Sequence, residues 1–112
     1  MSTLNKIEGV TDGSPEFSLV LVDGTRLTPD RSLKVMNHSP NGFAWGYLGS
    51  GPAQLALAIL LECDVPEDDA VAVHQTFKEE FIGGLPQDKG WQVEVDVREW
   101  AEKEMYKRGE LE

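Results

Sequence analysis

The chain is short of cysteine, short of bases, and lacks any long apolar run. Each shortage excludes something. With Cys63 alone, no internal disulfide forms, and nothing points to an oxidising compartment. The opening "MSTLNKIEGV" has no apolar h-region, and no stretch approaches the roughly 20 apolar residues of a membrane span. A cytoplasmic protein with no membrane partner is expected. Ten Lys and Arg against twenty Asp and Glu give a net charge of −10. Such a surface repels phosphate backbones, which argues against direct nucleic-acid binding.

Catalytic signatures are missing as well. Ser50 lies in G-S-G-P rather than G-x-S-x-G, so there is no nucleophile elbow. No Lys follows the glycines as a Walker loop requires. Two histidines and one cysteine without ligand spacing suggest no metal site. No catalytic residue and no cofactor is assigned. His74, next to the apolar stripe of its helix, reads as a packed or rim histidine.

What is present suffices for one domain over residues 1–112. A chain of 112 residues buries about two-thirds of its unfolded surface without metal or disulfide staples. The first 47 residues read as strands. "FSLVLV" (17–22) runs into Asp23-Gly24, a dipeptide suited to a two-residue hairpin, and "TRL" returns. "SLKVM" (32–36) alternates polar and apolar. "SPNG" (39–42) suits a type I turn. "FAWGY" (43–47) alternates again and predicts Phe43, Trp45 and Tyr47 on one strand face.

The second half reads as helices. Residues 53–61 contain one polar side chain, Gln54, so this helix should lie buried at the centre, with Ala56 and Leu57 inside. Gln54 itself reads as a buried amide tying helix to sheet. The next helix opens near "DVPE", with Asp64 as cap and Glu67 completing a capping box. Ala70, Val73, Phe77 and Phe81 form its inward stripe, and Gly83-Gly84 ends it. "WQVEV" (91–95) is a strand, and a last helix begins at Asp96 with Glu99 as capping partner. The expected fold is α+β: an antiparallel sheet of three or four strands, packed on one face by a buried central helix and two further helices.

Two places invite a functional reading. The first is the Gly49-Ser50-Gly51-Pro52 turn before the apolar helix. Helix N-termini carry unpaired N–H groups and partial positive charge, so Gly49, Ser50 and Gly51, with His38 and Tyr47 nearby, could cradle a phosphate or carboxylate. The competing reading is a capped, tight strand-to-helix turn, which Pro52 in the first helical turn favours. The second place is the acidic half. Residues 1–60 hold five acids and four bases, a net of −1; residues 61–112 hold fifteen and six, a net of −9. On an ideal helix Asp68 and Glu79 lie three turns and about 20° apart, about 16 Å along one face. Asp69 and Glu80 flank them, giving a negative strip opposite the apolar stripe.

The stretch "HSPNGFAWGYLGSGPAQLALAILLE" (38–62) resembles the core of a small family of unknown function from bacteria, phages and plasmids, with the pattern S-P-x-G-F-x-W-G-Y-x-G-S-G-P-A-Q-L-A-L-A. "TFKEEFIGGLPQDKGWQV" (76–93) matches it more loosely. The resemblance implies a fold and a mobile-element context, and carries no established activity.

Together these readings lead to a non-enzymatic interaction protein of a phage or mobile element. Through Asp68, Asp69, Glu79 and Glu80 it would mimic nucleic acid toward a basic host protein, as anti-CRISPR and antirestriction inhibitors do. The alternative is a small-ligand or phosphate-binding domain, enzymatic or not, built on the Gly-Ser-Gly-Pro helix start.

Overall fold

The computed structural model describes residues 4–12, 18–40 and 42–110. Asp23 and Gly24 both have positive φ, 50° and 83°, as a two-residue hairpin turn demands. They join strand β2 (Leu19–Val22) to β3 (Thr25–Arg26). Strand β1 (Asn5–Val10) lies beside β2, and β4 (Trp91–Val95) closes the other side, giving an antiparallel sheet of order β3-β2-β1-β4. Ile7 sits opposite both Val22 and Val93. Because side chains alternate along a strand, this register sends Ile7, Val20 and Val22 into the core and leaves Lys6, Gln92 and Glu94 exposed.

The central helix α2 (Ser50–Glu62) is buried at every position from Gly51 to Leu61. An all-round apolar surface has no stable place except the interior, so the other helices gather on it. Helix α1 (Asp30–Val35), helix α3 (Glu67–Phe77) and the wide turn that follows α3 pack against α2. Helix α4 (Val97–Glu110) lies against α3 and buries Val97 and Ala101. The fold is α+β. Among the described residues, no helix is long and apolar enough to cross a membrane.

Several local expectations are corrected. "SLKVM" is not a strand: Asp30–Val35 forms α1. Ser32, fully buried, decides this. Its hydroxyl donates to Pro29 O at 2.9 Å and accepts from Gln54 Nε2 at 2.8 Å. Gln54 therefore ties α2 to α1 and its following loop, and not to the sheet. "FAWGY" is not a strand either. Gly46 has φ 85°, which breaks an extended run. Buried Trp45 turns its indole N–H to Pro86 O at 2.9 Å, and the Gly46 N–H donates to Ile82 O at 3.1 Å. These bonds lay the segment on the 82–87 loop, with Phe43 half-buried and Tyr47 exposed. Phe17 and Asn41, parts of the expected strand and type I turn, lie outside the described residues.

Asp64 does not cap α3. With φ 65° it ends α2: its N–H donates to Leu61 O and that of Val65 to Leu60 O, both at 3.1 Å, a Schellman pair. Helix α3 starts behind Pro66 with no side-chain cap. Asp96, by contrast, caps as expected, its Oδ1 accepting the Glu99 N–H at 3.1 Å. The α3 stripe begins as expected with Ala70, Val73 and Phe77 fully buried. A wide π turn over Lys78–Ile82, closed by Gly83 N–H to Lys78 O at 2.8 Å, then moves the buried position from Phe81 to Ile82. Phe81 is half-buried against the rings of Phe77 and Trp100.

Candidate functional site

At the N-terminus of α2, the glycines face the protein's own side chains. A Cβ on Gly49 would run into the Tyr47 ring. One on Gly51 would lie 2.6 Å from Ala44 Cβ, 3.2 Å from Ala44 N and 3.3 Å from the Tyr47 hydroxyl. The small residues make room for Ala44 and Tyr47, and Gly51 is buried beneath them. Ser50 is exposed and makes no capping bond, and Gly49 occupies the cap position.

His38 lies away from this turn in its bonding. Its Nε2 is 2.9 Å from Nε2 of His74, which is almost fully buried on α3. His74 Nδ1 is 2.7 Å from Val71 O. Burial is the largest influence on His74 and holds its pKa below the usual imidazole value, with His38 and Lys78 acting in the same direction. The His38 backbone is fixed from the other side. Its N–H and that of Ser39 both donate to Gln54 Oε1, at 2.7 and 3.1 Å, while Gln54 Nε2 donates to Ser32 Oγ and Met36 O. The amide thus uses both donors and both acceptor positions, which is how a fully buried Gln is accommodated.

Acids gather in two places, along α3 with its wide turn and in a cleft at the far end of α2. On α3 and its wide turn, Asp68, Glu79 and Glu80 are exposed and Asp69 is half-buried. The α-helical register that would align Asp68 with Glu79 ends at Phe77, where the wide turn begins. Glu80 accepts the Trp100 indole N–H at 2.8 Å.

The cleft, of about 460 Å³, draws on four chain segments: Asn5 from β1, Asp23 from the hairpin, Glu62, Cys63 and Asp64 from the end of α2, and Asp96, Arg98, Glu99 and Glu102 from the start of α4. Asn5 organises it. Its Nδ2 donates to Asp23 Oδ2 at 2.9 Å, and its Oδ1 accepts the Val97 N–H at 3.1 Å. The Lys6 N–H holds the other Asp23 oxygen at 2.8 Å. Of the six carboxylates lining the cleft, Glu99 alone forms an ion pair among the described residues, with Lys103 at 3.5 Å. The others are held by neutral N–H donors or face solvent. Their combined field is felt by Cys63, whose thiol is pushed up to about 12, first by burial and then by Asp23, Glu62, Asp64 and Asp96. A thiol so shifted stays protonated and is a poor nucleophile at neutral pH. A second, smaller hollow of about 140 Å³ shares Asp64, Arg98 and Glu102 and reaches Asp69, linking the cleft to the first turn of α3.

Sequence reasoning did not find this cleft. Asp23 and Asp96 are far apart in the chain; pairing of β1 with both β2 and β4 brings them to one end of the sheet, and Asn5 bridges the hairpin and α4 there. Among the described residues no group of three or more His, Cys, Asp or Glu is arranged to hold a metal ion.

Fold and site define a small acidic α+β domain with an open carboxylate-lined cleft. Residues 9–103 match the model of a family of unknown function, DUF6166, and the chain belongs to that family. No curated protein and no solved structure matches it.

Proposed function

We propose that this is a non-enzymatic interaction protein whose carboxylate cleft and adjoining α3 receive a basic surface of a partner. The partner is a cytoplasmic protein that binds nucleic acid, such as a host defence factor, and the acids take the place of phosphates in its groove. One observation carries the reading: six carboxylates and a single base, Arg98, line the cleft, and five of the six form no ion pair among the described residues. Like charges gathered in such excess over counter-charge oppose folding, and a basic partner relieves that cost. Long-range attraction would speed the encounter and would be weakened by salt.

The test begins with capture of partners from host lysate at low and high salt, identified by mass spectrometry. Binding of the purified pair is then measured for the wild type and for two quadruple variants. Glu62→Gln, Asp64→Asn, Glu99→Gln and Glu102→Gln together should weaken binding at least tenfold, about 1.4 kcal/mol. Asp68→Asn, Asp69→Asn, Glu79→Gln and Glu80→Gln should have a smaller effect. Duplex DNA should compete for the same site on the partner. Equal affinity of both folded variants and the wild type at low salt would overturn the proposal.

A further inference from the structure

Beyond that binding role, we infer that His38 and His74 form one proton-sharing unit: it accepts a first added proton without breaking, and a second proton detaches the 36–40 segment from α3.

The hydrogen-bond network fixes where the protons sit. Val71 O only accepts, so His74 Nδ1 carries the hydrogen at that 2.7 Å contact. In a neutral ring the other nitrogen is then bare, so His74 Nε2 accepts and His38 Nε2–H donates across 2.9 Å. The ring centroids are 5.0 Å apart, 2.1 Å more than the Nε2–Nε2 distance and about the combined depth of two half-rings. The rings therefore meet nearly end-on, as a single N–H···N bond requires. A metal ion with bent N–metal–N angles would need the two lone pairs to converge at an angle instead.

The order of protonation follows. The first proton enters at His38 Nδ1, which takes no part in the bond between the rings. That bond survives and becomes charge-assisted. The only nitrogen left for a second proton is His74 Nε2, the acceptor itself. Two cationic N–H groups would then face each other at hydrogen-bond distance, and the contact fails.

The surroundings do not compensate. From α2 the facing group is Gln54, which is uncharged, and from the wide turn it is Lys78, which adds to the repulsion. Neither ring forms an ion pair with a carboxylate among the described residues. Because burial first, and then the neighbouring positive groups, make His74 bind a proton less readily in the fold than a free imidazole does, the contact is present at neutral pH and is lost as pH falls below the usual imidazole range. Afterwards the tip of the 36–40 segment is held only from the α1–α2 side, by Gln54 through the His38 and Ser39 N–H groups, while Met36 stays bonded to Ser32 O and Gln54 Nε2.

Imidazole ¹⁵N–¹H spectra of the full chain, recorded from neutral to mildly acidic pH, test this directly. At neutral pH His74 should be protonated at Nδ1 and bare at Nε2, with His38 protonated at Nε2. The pair should then take up its two protons in separate steps. The amide protection factors of His38 and Ser39 should fall at least tenfold at the second step, while those of α2 hold. In His38→Gln the amide still donates to His74 but does not titrate, so one step remains and moves to higher pH. A His74 hydrogen on Nε2 at neutral pH, one joint step for both rings, or unchanged protection through the second step would each overturn the inference.

Discussion

The two ends of α2 are built in opposite ways. At its N-terminus, Gly49 and Gly51 are small because Tyr47 and Ala44 occupy the space beside them. At its C-terminus, Glu62, Cys63 and Asp64 open onto a cleft shared with Asp23 and the first turn of α4. The first end has the glycine-rich sequence expected of a ligand site, yet its geometry is that of a packed turn. The second has an ordinary helix-ending sequence, yet it concentrates the negative charge. The difference teaches that glycine content reports how closely something approaches the backbone, and not whether that something is a ligand or the chain itself.

Three changes would break or sharpen this comparison. The largest effect is expected from Ala56→Asp, between the two ends. Ala56 has no exposed surface, and an unpaired buried charge costs several kcal/mol, comparable to the whole stability of a small domain, about 5–15 kcal/mol. The variant should be unfolded by circular dichroism and so lose both ends together. A soluble variant with an unchanged melting temperature would remove α2 as the support they share.

Gly51→Val tests the N-terminal end alone. Its branched side chain would meet Ala44 Cβ and backbone, an overpacking worth about 1–3 kcal/mol. At about 4–8 °C per kcal/mol for a domain near this size, the melting temperature should drop clearly, while the fraction that stays folded keeps its cleft and its partner affinity. An unaltered melting temperature would mean that the turn has room for a ligand after all.

The smallest effect belongs to the C-terminal end. Asp64 adopts φ 65°, a region that glycine enters with less strain, and it adds to a cluster of like charges. Asp64→Gly should raise stability by up to about 1 kcal/mol in a urea melt and slightly weaken binding of a basic partner. A loss of stability would show that the Asp64 carboxylate has a structural role in the cleft.

Much of the fold was legible because it depends on local rules. The Asp23-Gly24 hairpin needs two residues that tolerate positive φ, and both are next to each other in the chain. Residues 53–61 are apolar on every side, which leaves a helix no place but the interior. In "SLKVM", alternation over five residues does not distinguish a half-buried strand from a short helix. The deciding fact, burial of Ser32 against Gln54, is a contact across 22 positions. In "FAWGY", alternation yields to a distant contact: the Trp45 indole finds its acceptor at Pro86, 41 residues away.

The candidate sites divide the same way. Sequence by itself determined the charge, its excess in the second half, the buried central helix and the hairpin, because each is set by composition or by neighbours within one or two turns. Only tertiary structure decided that Tyr47 and Ala44 fill the glycine turn, that His38 meets His74 end-on, and that Asp23, Glu62 and Asp96 share a cleft. Those arrangements depend on long-range packing around α2, where a side chain's partner is chosen by the space left after every other element has been placed.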